Sequence, residues 1–355
     1  MGYRSDDLMH LVRGDHTDAV RELEGRTMAT AVGDLDGQLD TLARVTLGAW
    51  TRLFGGPAAV ATTGAALDQI TAAVRAAVRR LLDRLGPRAL RAIRDALPSA
   101  LTLGVQQGAE FLRAASGRRH AALTLRVPRT LRDEAARITE LVADRRDRAL
   151  ALLGREHVTR WSDLLHSIGA ARSVGAAVRA HAAWLIGRAV NAGLDAGARA
   201  AGLARLWIAE ADACVRCLAY TGLIAQPGQG FPGGLSWDPR LRTIGAANID
   251  GPPAHPHCRC RTVAWSPRWR ADGVPFPLAL RREAHRSIAY GAGRPSESRA
   301  TRLRAVRELL RAEPDLLPAV EASARTALRT GRFPVAAWPP RTPAPVTGRR
   351  DTTTP

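Results

Sequence analysis

From about Asp18 to Leu206 the sequence repeats one spacing: apolar residues recur at alternating steps of three and four, with no sustained alternation by twos. That period belongs to helices that bury one face, so this half of the chain has to fold as helix packed on helix. One segment shows the logic. Pro128 blocks extension backwards, Thr130 with Asp133 resembles a capping box, and Leu131, Ala135, Ile138, Val142, Ala149 and Leu152 form the stripe before Gly154 ends it. Similar stripes run through "LDQITAAVRAAVRRLLDRLG" and "SVGAAVRAHAAWLIGRAVNAGLDAG". Their alanine content favours long helices and close approach.

The second constraint is charge. The chain has 355 residues and a formal net charge of +19, and all 52 of its basic residues are arginine. Residues 70–155 alone hold 18 Arg against 8 acidic residues. Two readings follow: a solvated helical face that carries a compositional arginine bias, or a surface that meets DNA or an acidic partner in a salt-dependent way. No aromatics interleave these arginines, which argues against base stacking and sequence-specific recognition. The opening "MGYRSDDLMHLVRGDH" has acids and no apolar stretch, unlike a secretory signal. No uncharged apolar run reaches the 18 or so residues of a membrane helix. A soluble chain made in a cytoplasm is expected, with no membrane partner.

Near Trp207 the character changes. Six of the eight Trp lie between Trp161 and Trp269, and the helical period gives way to Gly and Pro. "QPGQGFPGG" (Gln226 to Gly234) reads as loop and "RTVAW" (Arg261 to Trp265) as a short strand. Helices resume in "PLALRREAHRSIAYG" and "ESRATRLRAVRELLRAE". From Pro334 the chain holds six of its 22 prolines and little to bury, so a disordered tail is expected. The expected fold class is mainly α: a long helical N-terminal region and a small α+β module stabilised by zinc. The expected divisions are a helical, Arg-rich region at 1–155, a module with a Cys/His cluster at 156–270, a basic helical region at 271–333, and the tail at 334–355.

All four cysteines lie in that module, as "CVRC" (Cys214, Cys217) and, 40 residues later, "CRC" (Cys258, Cys260). The short turn of Cys-x-x-Cys sets two thiolates about one tetrahedral edge apart, which suits zinc. Extended residues i and i+2 point the same way, so Cys258 and Cys260 can bind together, with His255 and His257 on the opposite face. Pro256 pushes His255 towards an extended conformation. If the chain turns at Cys258 instead, His255 swings in and replaces one thiolate. Buried free thiols and a pair of disulfides are the competing readings, the latter disfavoured in a reducing compartment. The Gly/Pro-rich loop between the pairs has little core of its own, and structural zinc supplies on the order of 10 kcal/mol in such settings. The metal therefore reads as a clamp.

Catalysis has less behind it. No His is followed by the His-x-Glu of a zinc deaminase, and there is no His-Glu-x-x-His. A thioredoxin-like role for "CVRC" needs a surrounding βαβ pattern, and the preceding segment reads as helical. A zinc-ribbon His-Asn-His nuclease also pairs cysteines around a histidine-bearing hairpin, but here both histidines sit on the second cysteine pair itself.

"WIAEADACVRCLAYTG", a Gly/Pro-rich loop and then "PPAHPHCRCRTV" resemble the C-terminal domain of the phage Mu F-like head-morphogenesis family, minor head proteins of tailed bacteriophages. The resemblance covers about residues 175–266. It rests on a Pro pair, then His-Pro-x-Cys-Arg-Cys, then a short apolar strand, preceded by Trp207, Asp212, Cys214 and Cys217. The resemblance implies zinc held by Cys217, His255, Cys258 and Cys260, with Cys214 as an alternative or extra thiolate and His257 outside the ligand set. The four-cysteine solution from spacing stays open. The sequence departs from the family in "IGRAVNAG", which keeps Arg188 but has Ala189 and Val190 where relatives carry Thr and Glu.

The resemblance implies a non-enzymatic structural protein of a phage or prophage. It would work in head morphogenesis at or near the portal and reside in the virion head, or in the bacterial host cytoplasm during assembly. Portal, capsid or scaffold proteins are the implied partners, and packaged DNA a further one through the Arg-rich helices. The alternatives are a zinc-containing protein that binds DNA non-specifically and, behind it, a metal-dependent nuclease or a toxin fused to this module.

Overall fold

A computed structural model describes residues 2–61, 64–118, 123–154, 157–255, 258–293 and 297–334. The tail expected after Pro334 lies outside the described residues, as does His257. The chain is mainly helical with one small sheet, as the sequence predicts. Helices α1 (Ser5–His10) and α2 (His16–Val32) are joined by a π-helical turn over Leu11–Asp15, and α3 (Leu35–Phe54) follows. Then come the three long helices α4 (Gly64–Ser116), α5 (Arg129–Ala151) and α6 (Trp161–Ala200). Among the described residues no helix is long and apolar enough to cross a membrane.

The predicted stripe of α5 is buried at Leu131, Ala135, Ile138, Val142 and Ala149. Leu152 is exposed because the helix stops at Ala151 and the turn buries Leu153 in its place. The capping box expected at Thr130 does not form: the helix begins one residue earlier, behind Pro128, with no side-chain cap. The reach-back carboxylate occurs on α6, where Asp163 accepts from the N–H groups of Thr159 (2.9 Å) and Arg160 (2.8 Å).

Helix α4 has 53 residues, roughly 80 Å at 1.5 Å per residue, and it runs through Pro87 and Pro98 without ending. It crosses α6 at backbone contact. A Cβ on Gly104 would strike the Val190 carbonyl, and one on Gly193 would strike the Leu101 carbonyl, so each position admits only glycine. Around this crossing α2 to α6 share one apolar core, from Val20 and Trp50 through Ile93 and Ile138 to Leu194.

Gly202, at φ +64°, turns the chain from α6 into β1 (Ala204–Ile208). Residues 204–206 thus begin a strand where the helical pattern was expected to persist. Helix α7 (Val215–Tyr220), β2 (Ile224–Ala225) and β3 (Arg261–Trp265) complete a sheet of order β2-β1-β3, antiparallel throughout. The predicted strand "RTVAW" is β3 residue for residue, and all five of its residues are buried. Helices α8 (Phe276–Tyr290), α9 (Arg299–Ala312) and α10 (Pro318–Thr330) pack over α7 and the cysteines in a second core. A smaller third core ties the N-terminus to the sheet: Tyr3, Leu8 and Val12 meet Phe111, Leu206, Val263, Trp265 and Phe276. There the Asp272 N–H donates to the Tyr3 carbonyl at 2.7 Å, between segments far apart in the sequence.

Candidate metal centre

Both cysteine pairs are placed by short stretches of backbone. Cys214 is the extended residue just before α7 (φ −70°, ψ 161°), and Cys217 lies in the first turn, so one helix start presents both sulfurs. The Trp237 N–H donates to the Val215 carbonyl, and the Glu297 carboxylate accepts from the Val215 N–H at 2.9 Å. On the other side the Cys258 N–H donates to the His255 carbonyl at 3.1 Å, making the turn that brings His255 back towards the sulfurs. The next residues run straight into β3.

His255 Nε2 lies 3.1 Å from Cys214 Sγ and 3.1 Å from Cys217 Sγ, and Cys217 Sγ lies 3.5 Å from Cys258 Sγ. A thiolate–metal distance of about 2.3 Å sets tetrahedral neighbours ~3.8 Å apart, so these side chains stand near ligand spacing. Two groups of three result, Cys214/Cys217/His255 and Cys217/Cys258/Cys260, and either can hold a metal ion. Cys217 belongs to both. All five predicted donors are therefore gathered in one place, and the turn at Cys258, the second of the two geometries the spacing allowed, is the one the backbone adopts.

The electrostatics suit a cation. The Cys214 thiol is held down to about 4, first by its hydrogen bond with Cys217 and then by His255. Cys258 is held well below the usual thiol range, again chiefly by a hydrogen bond with Cys217. Cys217, which supplies those bonds, is pushed up, and burial pushes Cys260 up. Four sulfurs this close cannot all ionise unless positive charge sits among them. A soft divalent ion bound among them would supply it, in place of protons on the sulfurs.

Several residues outside the sequence-predicted set hold the donors in place. Asn191, buried within α6, donates from Nδ2 to the Cys260 carbonyl at 3.1 Å and accepts at Oδ1 from the Thr262 N–H at 3.1 Å. It pins the "CRC" strand to the long helix. Asp195, one turn later, accepts from the Thr262 hydroxyl at 2.6 Å. Arg302 donates to the Ala213 carbonyl at 2.6 Å and pairs with Glu297, fixing the start of "CVRC" from α9. Arg259, between the two cysteines, reaches Glu210 (2.7 Å) and Asp212 (2.9 Å). One signal was readable: Asn191 interrupts an otherwise apolar stripe. Glu297 and Arg302 depend on contacts more than 80 residues away and leave no local trace.

The loop between the cysteine pairs has more anchorage than its composition suggests. Phe231 is fully buried with its ring edge-on to Trp207 (5.1 Å), and Trp207 stacks on Tyr220 at 4.6 Å. Phe231 and Ile249 exchange backbone hydrogen bonds, and Asp238, fully buried, accepts both Arg304 Nε and Nη2. "CVRC" follows a strand and a turn, not the helix that was expected before it, yet β1 and β2 pair antiparallel, so the parallel βαβ setting of a thioredoxin is still missing.

Fold and site together define a helical protein that carries a small antiparallel module closed by a Cys/His cluster with metal-binding geometry. Comparison with family models, curated proteins and solved structures gives no match for the chain.

Proposed function

We propose that the cluster binds one zinc ion as a structural clamp, and that the protein is a minor head protein of a tailed bacteriophage or prophage, acting in head morphogenesis at or near the portal. The convergence of five Cys/His donors on Cys217 carries the metal part of this reading. A donor set of cysteines and a histidine, with more than four candidates close together, suits a closed structural site and supports a non-enzymatic role. The head-protein part rests on the motif "PPAHPHCRCRTV", whose cysteines and strand are the residues that close the module. Portal, capsid or scaffold proteins are the proposed partners, and the virion head the proposed location. Quantitative mass spectrometry of purified particles and proheads from the encoding host tests it. A few to tens of copies per particle supports the assignment; absence beside a plainly detected major capsid protein overturns it.

One observation favours a second reading, non-specific DNA binding. On α4 the exposed Arg80, Arg84, Arg91 and Arg94 share a strip roughly 80° wide at about 100° per residue. Among the described residues none of the four has a carboxylate partner. Replacing all four with Gln should flatten the salt dependence of duplex binding by about three to four in log–log slope. An unchanged slope would retire this reading.

A further inference from the structure

The loop that carries His255 also builds the wall of a groove. Pro253, Ala254 and His255 face Leu141 and Arg145 of α5 and Ala177, Ala180, His181 and Trp184 of α6 across a space of about 570 Å³. Its floor is apolar, and Trp184 and Leu141 are only partly covered by the core beneath. The groove stands apart from the metal-clamp chemistry, touching it only through His255.

Two arginines stand at its edges. Arg188 lies over the Trp184 ring at 5.0 Å, and Arg145 stands on the opposite helix. Among the described residues neither arginine has a carboxylate partner. Three acids of α5 are engaged elsewhere, Asp144 with Arg148, Asp147 with Arg146 and Glu134 with Arg137, while Glu140 beside Leu141 is exposed on the same helix. His181 is turned inward, its Nε2 3.2 Å from the Glu134 carbonyl, and burial pushes its pKa down, so it adds no lasting charge.

We infer that this groove docks an acidic amphipathic helix of a partner protein, with apolar side chains seated on Trp184 and Leu141 and carboxylates paired to Arg145 and Arg188. Two helices and a loop form a trough of the kind that accepts anchors at i, i+3, i+4 and i+7. Guanidiniums on an aromatic and apolar floor select carboxylates planted beside those anchors. The inference holds whether or not the protein belongs to a phage head.

The test is fluorescence anisotropy with the full chain and a fluorescein-labelled sixteen-residue peptide. The peptide carries Leu and Phe at i, i+3, i+4 and i+7 and Glu elsewhere; its twin has Lys for every Glu. The acidic peptide should bind and the basic twin should not. Trp184→Ala should weaken binding about tenfold or more, as for a central aromatic anchor. Arg145→Glu with Arg188→Glu should abolish it. Because Trp184 also touches the core, Ala254→Glu at the exposed lip provides a variant that spares the bundle and should repel the peptide. No binding at millimolar peptide, equal binding of the twin, or indifference to Ala254→Glu would overturn the inference. Equal competition by single-stranded DNA would do so too, by showing a general polyanion surface.

Discussion

The bundle and the metal module are held together in opposite ways. In the bundle, stability is spread over many interchangeable apolar contacts, and the special positions are glycines: Gly104 and Gly193 let α4 and α6 touch backbone to backbone. In the module a few irreplaceable groups do the holding: five Cys/His donors, Asn191, and arginines paired with Glu210, Glu297 and Asp238. Distributed apolar burial degrades gradually when single residues change. A polar network fails when one member is removed, because its partners are left buried and unpaired. The long helices should therefore survive damage that unfolds the module, while the reverse is not expected.

The largest effect should come from Cys217→Ser, because Cys217 is shared by both donor groups. It should abolish stoichiometric zinc and remove stabilisation on the order of 10 kcal/mol from the module. Near-UV circular dichroism from Trp207 and Trp237 should collapse, while far-UV helicity from α4 to α6 largely remains. Loss of both signals together would break the contrast between the two regions.

Gly193→Leu attacks the bundle instead. The new side chain meets the Leu101 carbonyl and the Val105 N–H, so the helices must separate. The cost should exceed the 1–3 kcal/mol usual for overpacking, because the obstacle is backbone. Urea melts followed by far-UV circular dichroism measure it; a cost below about 1 kcal/mol would contradict the close crossing.

Glu24 joins the two regions. Burial beside Glu210 raises its carboxyl from 4.5 to about 7, against the pull of Arg259, Arg261 and Arg21. An acid whose folded pKa is raised binds more protons folded than unfolded, so its contribution to stability is lost as pH rises from about 4.5 to 7. The loss is at most about 3.5 kcal/mol at about 1.4 kcal/mol per unit. His16 and His285, both lowered to about 4 chiefly by burial, act in the opposite direction below pH 6.5. The difference between wild type and Glu24→Gln isolates the carboxylate: the variant should gain on the wild type between pH 5 and pH 8 in urea melts. A constant difference would refute the shift.

Asn191→Ala should weaken zinc binding about 10- to 100-fold, as loss of an outer-shell partner does, with the bundle's melting nearly unchanged. Competition with a chromophoric chelator measures the affinity. An unchanged affinity would remove Asn191 from the clamp.

The same contrast explains what the sequence made legible. Periodicity reports a buried face, so the helices, the stripe of α5 and the strand "RTVAW" could be read directly. Cysteine spacing reports local ligand geometry, and the five candidate donors do meet. Punctuation was less informative. Gly86-Pro87 and Pro98 look like stops, yet α4 continues, because flanking residues such as Leu85, Ala89, Leu97 and Ala100 stay fully buried in the core. Strand β1 was hidden because Ala204 to Ile208 is short and continues an apolar run, and its identity comes from pairing with β3 some 55 residues later. The Glu297 and Arg302 supports are long-range for the same reason.

Metal content by elemental mass spectrometry, with cobalt substitution to read the ligands, tests the central claim most directly. The chain purified without chelator should carry one zinc, and its cobalt form should show visible bands of tetrahedral, thiolate-rich coordination that Cys217→Ser abolishes. A chain folded in both regions without metal, its four thiols free to react under native conditions, would contradict it.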